Sequence, residues 1–323
     1  MNRKFITANC RFSVIAAFVA LFSVVASAQP SLRKAMDVDG DGKADYTVFR
    51  PANNVWYTST ATGGFSIQAF GLANEDFMTP GDYDGDGKGD VSVWRDTTGI
   101  HYRMNSSTNT FGAVQFGLTG DEPASRDYDG DGKTDVGVVR RTNGNMIWYW
   151  LRSSDGGFAA VQWGLATDFI APGDYDGDGK FDIAVQRPGA TANGQGVFYI
   201  YRSSDATASV VAWGLSNDLV VPGDYDGDGK TDIAVVREGT TPTAPLIWYI
   251  LRSTDGGLTA VPFGDTGTDI TAQNDYDGDG KADLAIWRNS TGTFWVLQST
   301  TGAYTAFQWG LPNDFPVAGY DTH

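Results

Sequence analysis

Four aspartates recur at fixed spacing in a nine-residue stretch that the chain repeats six times. Residues 224–232 read DYDGDGKTD, and the pattern D-x-D-G-D-G-K-x-D also begins at Asp37, Asp82, Asp127, Asp174 and Asp275. Carboxylates held this close repel one another unless a cation lies between them. A plain Asp-Gly hairpin turn, the alternative without an ion, needs one aspartate and not four at fixed offsets.

The spacing predicts a site for a hard divalent cation. Aspartates at positions 1, 3 and 5 place oxygens on one side of a tight loop, the glycine at position 6 permits the turn, and the aspartate at position 9 closes the site. The backbone carbonyl of the lysine at position 7 would face inward. Ca²⁺ prefers many oxygen ligands, whereas Mg²⁺ keeps several waters and needs few carboxylates. We therefore predict up to six bound Ca²⁺ ions, with these ligands: Asp37, Asp39, Asp41, Lys43, Asp45, Asp82, Asp84, Asp86, Lys88, Asp90, Asp127, Asp129, Asp131, Lys133, Asp135, Asp174, Asp176, Asp178, Lys180, Asp182, Asp224, Asp226, Asp228, Lys230, Asp232, Asp275, Asp277, Asp279, Lys281 and Asp283.

The first nine positions match the loop of an EF-hand, but the match ends there. Position 12 of an EF-hand loop is a bidentate glutamate. This chain instead has an aliphatic residue at position 12, namely Val48, Val93, Val138, Val185, Val235 or Ile286. No apolar helical period flanks the motif on either side. We therefore expect each loop to connect two strands.

The elements around the loops repeat as well, at a spacing of 45 to 51 residues. In one repeat, residues 232–237, 246–252, 259–264 and 270–277 read as four short strands, which is the content of one propeller blade. The sequence thus predicts an all-β protein, a β-propeller with six blades of four antiparallel strands. The C-terminal segment 315–321 restarts the lead-in strand and is expected to complete the first blade, leaving no open edge. Seven blades are the alternative, if residues 29–36 and that segment belong to separate partial blades.

The first 28 residues differ from the rest and read as a secretory signal peptide. Positive residues precede an apolar run at 12–25, and Ala26-Ser27-Ala28 forms a small-residue cleavage site. The run is short for a membrane anchor, the other interpretation. The propeller domain would then occupy residues 29–323, with no membrane span after removal of the signal. We expect a secreted protein, extracellular or at the cell surface, with the periplasm as a further option.

The net charge indicates which partners are excluded, and the cysteine content indicates how the fold can be stabilised. The net charge is −16, and the six motifs hold 24 of the 39 acidic residues. This acidity argues against nucleic acid as a partner. Cys10 is the only cysteine and lies in the predicted signal peptide. The mature chain would therefore have no disulfide and would need another staple or a large core.

At these motifs the chain resembles the FG-GAP/VCBS repeat family, which includes the integrin α-subunit β-propeller. The aromatic-glycine strand ends, such as Phe70-Gly71 and Phe116-Gly117, fit the FG half of the name, and Pro222-Gly223-Asp224 loosely echoes the other half. The resemblance implies calcium ligands at positions 1, 3, 5, 7 and 9, loops on one face of the propeller and ligands often at the other. It also implies secreted or surface proteins that recognise protein or carbohydrate, some similar propellers being polysaccharide-active enzymes.

Two further columns recur in all six repeats. One is an aromatic residue in the second strand run: Tyr57, Tyr102, Tyr149, Tyr199, Tyr249 and Trp295. These rings could stack sugars, but recurrence in every repeat favours packing between blades. The other is the arginine that ends the first run: Arg50, Arg95, Arg140, Arg187, Arg237 and Arg288. By the same reasoning we interpret these arginines as structural.

Function should lie where repeats differ. His101 stands where other copies have Trp or Phe, and Arg126 replaces a glycine before the next loop. His101 could bind a ligand or act as a base, although drift at a partly exposed position is the favoured interpretation. The loops at 188–196 and 238–245 are longer than elsewhere and are candidates for partner contact or tolerated insertions.

Short catalytic signatures such as HExxH and G-x-S-x-G are absent from the sequence. The sequence therefore favours a calcium-binding module for adhesion or for binding an extracellular protein or carbohydrate. It leaves open a polysaccharide-active enzyme such as a lyase, and a purely structural surface protein.

Overall fold

The computed structural model describes residues 35–318, which form a ring of six four-stranded antiparallel sheets. The predicted all-β propeller with six blades is confirmed, and the seven-bladed alternative is wrong. The predicted signal peptide at 1–28 lies outside the described residues, as do residues 319–321 of the C-terminal segment. We number the blades 1 to 6 by the acidic loop that each contains.

The first three blades contain twelve of the strands, of which the last, β24 (Phe315–Pro316), comes from the end of the chain. Blade 1 holds β1 (Tyr46–Arg50), β2 (Val55–Ser59) and β3 (Phe65–Ala69). Blade 2 holds β4 (Asp76–Met78), β5 (Val91–Arg95), β6 (Ile100–Asn105) and β7 (Thr110–Gln115). Blade 3 holds β8 (Glu122–Pro123), β9 (Val136–Thr142), β10 (Asn145–Leu151) and β11 (Phe158–Leu165).

The other three blades repeat the same order of strands. Blade 4 holds β12 (Phe169–Ile170), β13 (Ile183–Arg187), β14 (Gln195–Tyr201) and β15 (Ala208–Leu215). Blade 5 holds β16 (Leu219–Val220), β17 (Ile233–Arg237), β18 (Pro245–Leu251) and β19 (Leu258–Asp265). Blade 6 holds β20 (Asp269–Thr271), β21 (Leu284–Arg288), β22 (Thr293–Leu297) and β23 (Tyr304–Gln308).

The last strand, β24 (Phe315–Pro316), closes the ring. It pairs antiparallel with β1, placing Val48 opposite Pro316 and Phe49 opposite Phe315. Val317 N–H extends the pairing by donating to the Thr47 carbonyl at 2.8 Å. The predicted completion of the first blade by a C-terminal strand is therefore confirmed, and blade 1 has no open inner edge.

The strand sequences reflect their depth in the blade. The second strands are short apolar runs buried over most of their length, such as Ile233–Arg237, because both faces contact other blades. The outermost strands alternate exposed and partly buried residues, as in Ala208–Leu215. Buried clusters then form between neighbouring blades, for example one that joins Ala171 of blade 4 to Ile233 of blade 5.

The aliphatic residues at motif position 12 have a packing role in this arrangement. The glycine of each aromatic-Gly pair has a positive φ, 74° at Gly214 and 116° at Gly310. A Cβ added to Gly214 would lie 3.0 Å from Cγ1 of Val235, and one added to Gly310 would lie 3.2 Å from Cγ1 of Val48. Position 12 therefore packs against the preceding blade, which explains why it is not a glutamate.

Each blade also has a buried side-chain pair across its second and third strands. The pairs are Phe49/Trp56, Trp94/His101, Val139/Trp148, Gln186/Phe198, Val236/Trp248 and Trp287/Phe294. In five blades the pair includes a tryptophan whose indole N–H donates to the carbonyl just before the aromatic-Gly glycine, at 2.9 to 3.3 Å. The tryptophan lies on the second strand in some blades and on the third strand in others, so the residue type at the facing position varies.

His101 is therefore a core residue and not a drifted surface residue. It lies opposite Trp94 and is 3% exposed, so its predicted partial exposure is wrong. Neither ring nitrogen has a hydrogen-bond partner among the described residues. Burial, and secondarily Arg103, lowers the pKa of His101 to about 3.

Replacing His101→Phe should stabilise the fold, because it reproduces the Trp287/Phe294 pair of blade 6 and removes two unsatisfied buried nitrogens. We expect a gain of about 1–3 kcal/mol in the free energy of unfolding. The wild type should also lose stability as pH falls from about 6.5 towards about 3, because the unfolded imidazole takes a proton that the folded one refuses. Urea unfolding at several pH values measures both effects. A loss of stability in the variant would contradict this interpretation.

Candidate metal centres

The six acidic loops lie at one end of the ring. In blades 2 to 6 each loop connects the innermost strand to the second strand, as residues 82–90 connect β4 to β5. In blade 1 the loop 37–45 leads into β1, whose innermost neighbour is β24. The expectation that the loop connects two strands is therefore correct in blades 2 to 6, whereas in blade 1 no strand precedes the loop among the described residues.

Within each loop the carboxylates converge. In blades 1 to 3 the aspartates at positions 1, 3 and 5 offer oxygens that lie within 4.8 Å of one another, as in Asp37, Asp39 and Asp41. In blades 4 and 5 the converging set is positions 1, 3 and 9, as in Asp224, Asp226 and Asp232. Several carboxylate oxygens at such short range are the donor set of a hard divalent cation. The carbonyls of the position-7 lysines as ligands stay a prediction.

The loop backbone is shaped by its first aspartate. In blade 4, Asp174 accepts the N–H of Gly177 at 2.6 Å and the N–H of Gly179 at 3.0 Å. These glycines have φ of 82° and 89°, a region that other residues rarely adopt. Each glycine of the motif thus bends the chain so that its amide reaches the carboxylate at position 1.

The aspartate at position 9 joins the loop to a second part of the blade. Asp232 accepts Tyr225 N–H at 2.9 Å and Ser253 N–H at 2.6 Å. Ser253 lies in the hairpin turn between β18 and β19, and its hydroxyl donates to Asp228 at 2.8 Å. The same turn contacts recur at Ser106, Ser153, Ser203 and Ser299. The Ser-Ser or Ser-Thr pair that follows the third strand was missed by the sequence analysis, although its recurrence was a signal.

Burial sets the protonation of these carboxylates. Positions 1 and 9 are buried, and desolvation is the largest cause of the raised pKa at these carboxylates. The pKa is raised to about 7 at Asp45, Asp135, Asp174, Asp182, Asp224 and Asp283. A bound cation would act in the opposite direction, because it favours the ionised form.

The loops also contact one another around the whole ring. The N–H at position 8 of each loop donates to the position-1 carbonyl of the preceding loop at 2.7 to 2.9 Å: Gly89 to Asp37, Thr134 to Asp82, Phe181 to Asp127, Thr231 to Asp174, Ala282 to Asp224 and Ala44 to Asp275. The position-7 lysine packs over the position-4 glycine of that preceding loop, as Lys88 does over Gly40. Its ammonium donates to the position-3 carbonyl, for example Lys88 to Asp39 at 2.7 Å.

At the opposite end of the strands, the recurring arginines are structural, as expected. Each forms an ion pair with a buried aspartate and lies over the recurring aromatic ring of its own blade. Arg187 contacts Asp168 at 2.9 Å, and its guanidinium carbon lies 4.2 Å from the centre of the Tyr199 ring. The aspartates are Asp76, Asp121, Asp168, Asp218, Asp269 and Asp314. These aspartates were not predicted from the sequence, although each follows the glycine of an aromatic-Gly pair by four or five residues.

The recurring aromatic residues therefore have one face covered by arginine. Tyr57, Tyr102, Tyr199 and Tyr249 are half-buried at the edges of the core clusters between blades, which agrees with the packing interpretation. The fully buried rings are mostly the residues one position earlier, such as Trp248. A covered ring face is a poor platform for a sugar.

A pocket of about 500 Å³ opens at this same end, across blades 2, 3 and 4. Its lining includes Phe77, Phe169, Glu75, Asp96 and Glu122. The pocket includes two of the chain's three glutamates, and the sequence alone did not indicate that its lining residues lie close together.

The repeat is broken in blade 3 at this pocket. In five blades the residue directly after the arginine-paired aspartate is apolar. These residues are Phe77, Phe169, Leu219, Ile270 and Phe315. Blade 3 has Glu122 there, with Arg141 beside it at 2.7 Å. Oε1 of Glu122 is buried and has no hydrogen-bond partner among residues 35–318.

The other irregular residues do not line this pocket. The long loops at 188–196 and 238–245 lie at the same end of the strands, as expected. Their residues bond to neighbouring turns, as in Gly267 N–H to the Pro242 carbonyl at 2.8 Å. Arg126 is buried and donates to the Ser125 carbonyl. No helix among the described residues is long and apolar enough to cross a membrane.

Fold and loops together define a six-bladed β-propeller in which each blade carries an aspartate-rich loop. The profile of the FG-GAP-like repeat matches residues 37–93 and 127–185. These two stretches are thus FG-GAP-like repeats, and the predicted resemblance is confirmed. No curated protein matches the chain.

Solved structures are similar to the chain at low identity and with TM-scores below 0.5. A streptogramin B lyase is 9% identical, with a TM-score of 0.49, over 88% of this chain and 85% of that one. The inactive virginiamycin B lyase of Staphylococcus aureus is 8% identical, with a TM-score of 0.48, over 88% and 86%. Regucalcin of Agrobacterium tumefaciens, described as a calcium-binding protein, is 12% identical, with a TM-score of 0.35, over 92% and 79%. Likeness at this level does not extend to function.

Chelation with EDTA should lower the Tm and added Ca²⁺ should restore it, because the ions would offset repulsion among buried carboxylates. Asp226→Ala should remove about one ion and lower the Tm in Ca²⁺. Asp255→Ala is the matched control, because Asp255 is exposed in the neighbouring turn and belongs to no converging set. Calorimetry and metal analysis measure both quantities. A Tm unaffected by EDTA would contradict the proposed role of the ions.

The pH dependence of stability should change sign with the cation. In EDTA, folded aspartates with pKa near 7 keep protons that the unfolded chain, near its ordinary value of about 3.9, has lost. Stability should therefore fall as pH rises from about 4 to about 7. With saturating Ca²⁺ the folded carboxylates stay ionised, so stability should rise over the same window. Urea unfolding in the His101→Phe background isolates this effect, and parallel pH profiles with and without Ca²⁺ would refute it.

Proposed function

We propose that the protein is a secreted, Ca²⁺-stapled β-propeller that acts as a binding or adhesion module for an extracellular glycan or protein. The observation that carries the proposal is the pocket at the end opposite the acidic loops. Nearly every recurring polar group has a partner within the ring, whereas the pocket lies where blade 3 breaks the repeat with Glu122 and Arg141. A concave site in which aromatic side chains lie beside converging polar groups is typical of ligand binding.

The acidic loops would serve stability and not ligand binding. Asp45 and its equivalents already join each loop to the hairpin turn of its own blade. When bound, Ca²⁺ supplies charge neutralisation at these carboxylates. The backbone bonds between loops would then transmit the ordering of one loop to the next blade. This division leaves the opposite end available for a partner.

The pocket does not favour a polysaccharide lyase acting on uronic acids. Such a reaction needs a cation for the substrate carboxylate and a base for proton abstraction. The arginines beside the pocket are all paired: Arg140 with Asp121, Arg141 with Glu122 and Arg187 with Asp168. His101, the only histidine of the described residues, is buried in the core.

An array of glycans and extracellular proteins tests the proposal. In Ca²⁺ the full-length mature protein should bind a subset of the array without changing it chemically. Glu122→Gln should reduce that binding, while Glu238→Gln, an exposed glutamate in blade 5, should not. Release of unsaturated sugars, or binding equal in both variants, would contradict the proposal.

A further inference from the structure

The pocket has an excess of carboxylates over available cations. Glu75 and Asp96 line it, and neither forms an ion pair with a described residue. Asp121 and Asp168 also line it, but they are neutralised by Arg140 and Arg187. The local charge therefore favours a cationic ligand, and it repels anions such as uronates and phosphates.

Arg141 does not change this balance, because Glu122 neutralises its charge and four of its five N–H donors are used. Its Nε and Nη2 donate to Oε2 of Glu122 at 3.1 and 2.7 Å. Its Nη1 donates to the carbonyls of Ala166 and Asp168 at 2.9 and 2.7 Å. Oε1 of Glu122 has no donor among the described residues but is closed off from solvent, so the carboxylates open to a ligand are Glu75 and Asp96.

The acceptors come from separate parts of the chain. Glu75 precedes β4 and Asp96 follows β5, so they approach the pocket from two segments. A lysine side chain offers donors at a single point. A sugar that carries one ammonium and several hydroxyls offers donors in several directions, while Phe77 and Phe169 can contact its C–H groups.

We infer that this pocket recognises an amino sugar with a protonated amine, at Glu75 and Asp96. The inference rests on the proposed glycan-binding function and names its ligand class. The volume of about 500 Å³ is in the usual range for small-ligand sites and holds one or two sugar rings. Binding should weaken with rising salt, because attraction between the ammonium and the carboxylates is screened.

Calorimetric titration of the Ca²⁺-loaded mature protein tests the inference, below the pKa of the amine. The probes are β-linked trimers of glucosamine, N-acetylglucosamine, glucose and glucuronate, with lysine amide as a non-sugar amine. The glucosamine trimer should bind about tenfold or more tightly than its acetylated form, which corresponds to about one charge-assisted hydrogen bond.

The variants separate charge from fold. Asp96→Asn should weaken binding of the glucosamine trimer about tenfold. It should leave the Tm unchanged, because Asn289, which occupies the same position in blade 6, accepts Asn313 N–H at 2.7 Å, as Asp96 accepts Gly120 N–H at 2.6 Å. Glu75→Gln should have a similar effect, and Glu238→Gln should have none.

Three results would overturn the inference. Equal binding of the acetylated and free-amine trimers would refute amine recognition while leaving glycan binding intact. Lysine amide binding as tightly as the glucosamine trimer would refute the sugar. If the protein binds extracellular proteins of the array but no glycan, the inference is refuted and a protein-binding module is supported. If it binds neither, the proposed function is refuted as well.

Discussion

The fold depends on a closed ring of backbone hydrogen bonds between acidic loops. The aspartate at position 1 holds its own loop through its side chain and accepts the next loop through its carbonyl, as Asp174 does with Gly177 and Thr231. The shape of one loop and the contact between two blades are therefore a single arrangement. The bond from Ala44 to the Asp275 carbonyl makes the first and last loops neighbours like any others. Buried carboxylates at this seam would favour separation of the blades unless charge is neutralised there.

Much of this architecture could be predicted from the sequence because each element occurs six times. The period and the four apolar runs defined the blade, and the restart at Phe315 indicated the closing strand that pairs with β1. The aliphatic residue at position 12 excluded an EF-hand, although only the structure shows Val235 packed against Gly214 of the preceding blade. A residue type that recurs in all six blades can be recognised as structural from the sequence. The residue that it contacts cannot be identified in the same way.

What could not be predicted required the register between strands. The partner of Arg187 is Asp168, nineteen residues earlier, and repeat alignment alone does not show that the two meet. His101 looked anomalous because aligned copies have Trp or Phe. Its cross-strand neighbour Trp94 supplies the indole that blades 1, 3 and 5 take from the third strand. The fold thus constrains a pair of facing positions on two strands and not each position separately. When the aligned residues of one strand alone are compared, a compensated pair such as Trp94 and His101 looks like random drift.

The same distinction applies to the pocket, with the opposite result. At Glu122 no neighbouring substitution restores the apolar contact that Phe77 and Phe169 provide in the adjacent blades. Arg141 neutralises one carboxylate oxygen but leaves the other without a donor. An ion pair at such a depth rarely stabilises more than apolar packing does, and an unmatched oxygen adds a further cost. On the proposed function, a change that compensates nothing in the fold, at the edge of a concave site, is explained by a role in that site.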